Sequence, residues 1–145
     1  MFSRIYNSNT GDNQLPADQN LYTWIAGLQQ RGVPIDGVGL QCHLTPNSGL
    51  TYSPDLDSMM ANMAQFAKMG LKVRVSELDM RIPVPATASG LADQATAYTT
   101  VVQVCLMSPN CVSITVWGAD DAVSWIPTSG YFHGHRARLL GQGPD

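Results

Sequence analysis

Val73-Arg74-Val75-Ser76-Glu77-Leu78-Asp79-Met80-Arg81 reads as a short β-strand. β-Branched Val73 and Val75 alternate with polar neighbours, and Gly70 just upstream ends a preceding helix. The stretch finishes in two carboxylates, Glu77 and Asp79. Strand side chains repeat every two residues, so Val73, Val75, Glu77 and Asp79 are expected to share one face. Glu77 is the only glutamate among the 11 acidic residues of the chain. On spacing alone two readings stand side by side. One is a strand-end salt bridge with Arg74 or Arg81; the other is a carboxylate pair placed for chemistry.

The flanking sequence alternates in the same style. Ser53-Pro54-Asp55 has the marks of a helix start: a capping Ser, Pro at the first helical position and an acid in the first turn. Leu56, Met59, Met60, Met63, Phe66 and Ala67 then form an apolar face, with the methionines as core filler. Asp18 to Arg31 is predicted to be a helix. Leu21, Trp24, Ile25 and Leu28 sit at helical spacing, which puts Trp24 in the core, and Gly32 stops the helix. Val38 to Leu44 reads as a strand with Gln41 and His43 on one face near its carboxyl end and Cys42 turned the other way as a core thiol. Phe2 to Asn9 reads as a strand running into a polar loop, where Tyr6, Asn7 and Asn9 are either site residues or ordinary loop polarity. Downstream, Pro83 and Pro85 break the Glu77 strand. Leu91 to Leu106 is predicted to be a helix with Ala95, Tyr98, Val102 and Cys105 or Leu106 facing inward. Cys111 to Trp117 is a strand, the loop Gly118 to Pro127 holds Asp120, Asp121 and Trp125, and His133 to Leu140 reads as a short last helix.

Strand and helix thus alternate, with strand starts roughly 35 residues apart, as (β/α) units require. An open, doubly wound sheet of four strands and half a barrel both satisfy this α/β pattern. In either, ligands bind at the carboxyl ends of the strands. Asn9, His43, Glu77 and Trp117 fall there. No Gly-rich phosphate loop occurs, which disfavours nucleotide binding.

Composition narrows the classes further. The 145 residues are 44% hydrophobic, enough for a packed core, but fewer than the ~250 typical of a TIM barrel. Charged residues make up 13% and the net charge is −3, so no basic cluster is available to neutralise nucleic-acid phosphates. No run of ~18 apolar residues suggests a membrane span. The first thirty residues lack a signal-peptide pattern, so a leader, if the parent is secreted, is expected outside this sequence. No Cys or His pair has metal-ligand spacing, and neither a metal nor another cofactor is expected. Of the three cysteines, Cys105 and Cys111 are either bridged or two buried thiols, and Cys42 is left over.

Three blocks occur in order: Gly37-Val38-Gly39-Leu40-Gln41-Cys42-His43-Leu44, then Ser76-Glu77-Leu78-Asp79, then Ile114-Thr115-Val116-Trp117-Gly118 with Trp125-Ile126-Pro127 behind it. Together they resemble glycoside hydrolase family 10, the β-1,4-xylanases built on a TIM barrel, and their order and spacing match that family's last strands. The resemblance covers nearly the whole chain but about half of a family 10 catalytic domain. It implies that residues 1–145 are one partial (β/α)8 domain, matching strands five to eight. It implies retaining hydrolysis of β-1,4-xylan, with Glu77 as nucleophile, Asp79 fixing His43, and His43 hydrogen-bonding Glu77. Gln41, Trp117, Trp125, Asn9 and Tyr6 would meet xylan or a xylo-oligosaccharide. It also implies a Cys105–Cys111 disulfide and a secreted parent enzyme. Retaining chemistry needs a second carboxyl ~5–5.5 Å from the nucleophile. The family carries it as a Glu on the fourth strand, a position that the match leaves outside this sequence. Two alternatives therefore accompany the xylanase reading: a non-catalytic xylan-binding half-barrel and a purely structural α/β module. Self-association or a complementing N-terminal half is the expected protein partnership.

Overall fold

The computed structural model describes residues 2–5, 21–44, 56–119, 123–126 and 135–137, the first and last of these segments by their backbone. The elements, in chain order, are β1 (Phe2–Ile5), α1 (Leu21–Gln30), β2 (Gly37–Leu40), β3 (His43–Leu44), α2 (Leu56–Lys68), β4 (Lys72–Pro83), α3 (Ala88–Met107), β5 (Cys111–Val116) and β6 (His135–Ala137). β1, β2, β4 and β5 lie side by side, parallel, and β3 resumes the pairing with β4 beyond β2. Each of these four strands, β1, β2, β4 and β5, joins the sheet beside the one before it, with a helix in between. A doubly wound sheet reverses its strand order at a switch point, whereas a barrel adds strands in one direction. The order here is that of a barrel, and the described strands form an arc of one.

The core lies between this arc and its helices. Val38, Leu40, Val73, Val75, Leu78 and Met80 meet Ile25, Met59, Met63, Phe66, Val101 and Val104 there. Burying each of the larger of these side chains contributes roughly 1.5–3 kcal/mol. Gly70 ends α2 at φ 74°, a conformation that favours glycine, and the Leu71 N–H then reaches back to the Phe66 carbonyl at 3.0 Å. That closed turn aims the chain into β4.

Several expectations need correction. Trp24 is 52% exposed; α1 turns Tyr22 and Ile25 inward instead. The Tyr22 hydroxyl donates to Asn62 and its ring packs on Phe66, centroids 4.9 Å apart, so a buried polar pair sets which side of the helix faces in. Ala67, expected on the inner face of α2, is exposed. α3 starts at Ala88, capped by the Thr87 hydroxyl, which accepts the Gly90 N–H at 3.0 Å. Its inner face is Gln94, Ala97, Tyr98, Val101 and Val104, so Ala95, Val102 and Leu106 point outward. Gln94 explains the displacement: its side-chain amide donates to the Met80 carbonyl at 3.0 Å, so a polar residue occupies a core position. The strand expected over Val38–Leu44 breaks between Leu40 and His43. His135–Ala137 is a strand rather than helix, antiparallel to Arg81–Pro83, where β4 runs past its described parallel pairing and its backbone groups still need partners. Tyr6, Asn7 and Asn9, the Ser53-Pro54-Asp55 helix start and the Asp120-Asp121 pair lie outside the described residues.

Cys105 and Cys111 are bridged, with Cα atoms 5.2 Å apart, tying the end of α3 to the start of β5. Replacing both by Ser is expected to cost about 2 kcal/mol, because the closed loop is short. Urea unfolding should show a lower midpoint at unchanged m-value; equal midpoints would contradict the assignment of stability to this crosslink. Among the described residues β5 pairs with β4 alone, while Leu106, Val112 and Val116 are 81%, 54% and 42% exposed. A polypeptide of these 145 residues is therefore expected to self-associate. Sedimentation velocity at micromolar concentration should show species larger than a monomer, and a concentration-independent monomer would refute this.

Candidate active site

β4 carries one more residue than its neighbours at the level of Ser76–Leu78. Val75 pairs with Leu40 and Asp79 with His43, so β4 takes four steps where the β2–β3 segment takes three. On the other flank Val75 pairs with Ile114 and Leu78 with Val116, three steps against two. An extra residue of this kind is a β-bulge, which re-aims the side chains beyond it. Burial follows: the apolar core takes Val73 and Val75 before the bulge, but Leu78 and Met80 after it. The expectation that Val73, Val75, Glu77 and Asp79 share one face is therefore corrected. A strict two-residue period would have driven both carboxylates into the apolar layer, where an unpaired charge costs several kcal/mol. The bulge turns them to the opposite face.

The facing strand breaks at the same level. Cys42 has φ 60°, the left-handed region, which costs a non-glycine residue on the order of 1–3 kcal/mol. Its thiol is fully buried. Burial, and next the nearby Asp79 charge, push the thiol pKa up to about 12, so Cys42 is an inert core group. The Ser76 hydroxyl donates to the Leu40 carbonyl at 3.1 Å, stitching the two irregular segments together. Ser76 stood in the sequence as an unremarked polar residue inside a strand, and that polarity was the available signal. Gln41, between β2 and β3, is buried, and its Oε1 has no hydrogen-bond partner among the described residues.

Four of the side chains singled out in the sequence meet here. His43 Nδ1 lies 2.9 Å from Asp79 Oδ1, and His43 Nε2 lies 3.4 Å from Glu77 Oε2. Trp125 Nε1 donates to Asp79 Oδ2 at 2.7 Å. The Trp125 and His43 rings stand edge to face, centroids 5.0 Å apart. Glu77 and Asp79 are both buried. Desolvation by itself would lower the His43 pKa. The hydrogen bond and charge of Asp79, with the charge of Glu77, outweigh it, and the net shift is upward from 6.5. An imidazolium donates from both nitrogens and so satisfies both carboxylates. His43 is thus an ionic partner of Glu77, one that spacing along the strand could not supply.

The other expected site residues are placed less tightly. Trp117 follows β5 and is 41% exposed; its backbone N–H donates to the Leu78 carbonyl at 2.9 Å, which sets it beside the residue after Glu77. The Trp125 indole N–H is directed to Asp79, which leaves the ring rather than the N–H for any other contact. A short, charge-assisted hydrogen bond is the stronger claim on the donor.

The raised His43 pKa has a consequence for stability. A group with a higher pKa folded than unfolded contributes stability that is complete below the unfolded value, near 6.5. That contribution is lost as pH rises through the folded value. The unfolding free energy should therefore decline as pH increases above 6.5, and His43→Gln should flatten this decline. Urea titrations across that window test it; parallel pH profiles for the two proteins would contradict it.

Comparison with known proteins agrees with the geometry. The sequence profile of Glycosyl hydrolase family 10 matches residues 3–139. Endo-1,4-beta-xylanase 2 of Aureobasidium pullulans is 44% identical, over 78% of this chain and 32% of its own length. The GH10 xylanase from Bispora sp. MEY-1, solved with xylobiose, superposes with a TM-score of 0.83 at 32% identity, over 99% of this chain and 41% of that one. Xylanase 10B from Thermotoga petrophila RKU-1, in complex with xylobiose, gives a TM-score of 0.80 at 31% identity, over 94% and 39%. The chain spans about a third of the length of the curated relatives it matches. A parallel arc whose strands add in one direction, with a family profile that matches almost the whole sequence and TIM-barrel xylanases that superpose on it, leads to one statement: the chain belongs to glycosyl hydrolase family 10.

Proposed function

We propose that this chain is part of an endo-1,4-β-xylanase that cleaves β-1,4-xylan with retention, using Glu77 as the nucleophile. The observation that carries this reading is one imidazole set between two buried carboxylates at the carboxyl end of barrel strands. In this reading Glu77 attacks the anomeric carbon and the leaving oxygen takes a proton from a second carboxyl group. Water then displaces Glu77 from the glycosyl-enzyme. His43 supplies positive charge beside the Glu77 carboxylate, which stabilises the negative charge that returns to Glu77 as it departs. Asp79 holds Nδ1 so that Nε2 faces Glu77.

Asp79 does not serve as the acid. One of its oxygens meets His43 and the other accepts from Trp125, and it stands on the same strand as Glu77, unable to flank a glycosidic bond with it. The acid/base is assigned to a glutamate on the part of the barrel that this sequence does not span. Trp117 presents an exposed flat ring suited to a sugar face. Gln41 offers a buried acceptor that a sugar hydroxyl would satisfy, and an unmet buried acceptor costs ~1–3 kcal/mol. Trp125, Tyr6 and Asn9 complete the proposed xylan contacts. Residues 1–145 are read as one portion of a single catalytic domain. The parent is read as secreted, which the Cys105–Cys111 bridge supports, since disulfides persist in oxidising compartments.

In an assembled barrel, a 2-fluoro-xylobioside inactivator is expected to label Glu77; peptide mass mapping that puts the label on an aspartate would overturn the assignment. The 145-residue chain alone is expected to release reducing sugar from xylan ~10²–10⁴-fold more slowly than a complete family member, for want of the general acid. Ordinary turnover by the chain alone, abolished in Glu77→Gln, would mean that an acid other than the one assigned is at work.

A further inference from the structure

Asp79 is 2% exposed, so water does not orient its carboxylate. The terminal torsion of an aspartate is soft, and one hydrogen bond leaves the carboxylate plane free to tilt. Two act here. Oδ1 is 2.9 Å from His43 Nδ1, and Oδ2 accepts the Trp125 indole N–H at 2.7 Å. The indole is a donor only, so Oδ2 must present a lone pair to it in every state of the site. A continuous set of contacts thus runs Trp125–Asp79–His43–Glu77, in which the ionised Asp79 carboxylate accepts from Trp125 at one oxygen and from His43 at the other. Trp125 lies beyond β5, in a segment pinned by its buried neighbour Ile126, whose N–H donates to the Ser124 hydroxyl at 3.3 Å. The indole edge also stands against the imidazole, centroids 5.0 Å apart, and limits its swing.

We propose that Trp125 is a positioning residue: its indole N–H fixes the Asp79 carboxylate, so that Oδ1 is aimed at His43 and Nε2 of His43 is held on Glu77. This role differs from that of a sugar platform, which uses the ring face and makes no demand on the N–H. It rests on the xylanase reading only for its purpose; the contacts themselves exist without turnover. The segment after β5 is thereby joined to the nucleophile's strand through the Trp125–Asp79 hydrogen bond, and a displacement of that segment reaches the Glu77 side chain by way of Asp79 and His43.

The test replaces Trp125 by benzothienylalanine, which keeps the bicyclic shape and loses only the N–H. Trp125→Phe serves as a second variant and Asp79→Asn as the reference for a broken link. The readout is the pH titration of the His43 ring nitrogens by nitrogen-15 NMR of histidine-labelled chain, in solution or by magic-angle spinning of the associated form. Among the described residues, the charged groups that act on the ring are Asp79 and Glu77. The His43 titration is expected to move to lower pH in both Trp125 variants, in the same direction as in Asp79→Asn and by less. An unmoved titration in the isosteric variant would overturn the proposal. So would a rise, which would show Trp125 competing with His43 for Asp79. Failure of the inactivator to label Glu77 would sink the xylanase reading while leaving this shift in place, so the two failures are distinguishable.

Discussion

One additional residue in β4 separates the part of that strand that builds the core from the part that carries charge. Before it, Val73 and Val75 join the layer that contains Met59, Phe66 and Val101; after it, Leu78 and Met80 do so. Glu77 and Asp79 are thus released to the opposite face, where His43 lies between them. A regular strand could not have both: an alternation that satisfied the valines would have buried the carboxylates among methionines. The left-handed turn at Cys42 is the matching irregularity on the facing strand. Each departure costs on the order of 1–3 kcal/mol of backbone strain or lost pairing, which the apolar layer beneath can sustain.

The charge arrangement depends on that geometry. Two buried carboxylates on one strand would repel each other if left alone. An imidazolium with a donor toward each offsets the repulsion without an added ion. Its own burial opposes the charge, and the two carboxylates outweigh that penalty. Because His43 reaches both partners only when β4 carries its extra residue, backbone register and electrostatics are one constraint.

The alternation of strands and helices was legible because its punctuation is local. Gly32 and Gly70 both adopt positive φ at helix ends, and the apolar positions of β2 and of early β4 follow a plain period. What was not legible depended on partners distant in sequence. Trp24 looked like core because hydrophobic spacing cannot say that Tyr22 will find Asn62 some forty residues away. The inner face of α3 was misplaced because Gln94, a polar residue, takes a core position by bonding the Met80 carbonyl. His135–Ala137 pairs with β4 beyond that strand's described parallel pairing, a partnership that spans more than fifty residues of sequence. Within the site, the residue types Glu77, His43 and Asp79 were readable and their meeting follows from strand adjacency. The bulge at Ser76–Leu78 was not, since the sequence there shows no glycine or other breaker. Nor does a tryptophan's presence reveal which acceptor its N–H will choose.

The interstrand register on either side of the bulge tests this account most directly. Proton NOEs between β4 and the β2–β3 segment should place Leu40 beside Val75 and, in the same molecule, His43 beside Asp79, with contacts from the His43 ring to both Glu77 and Asp79. A constant offset along the strands, with His43 beside Leu78 and its ring in contact with only one carboxylate, would contradict it.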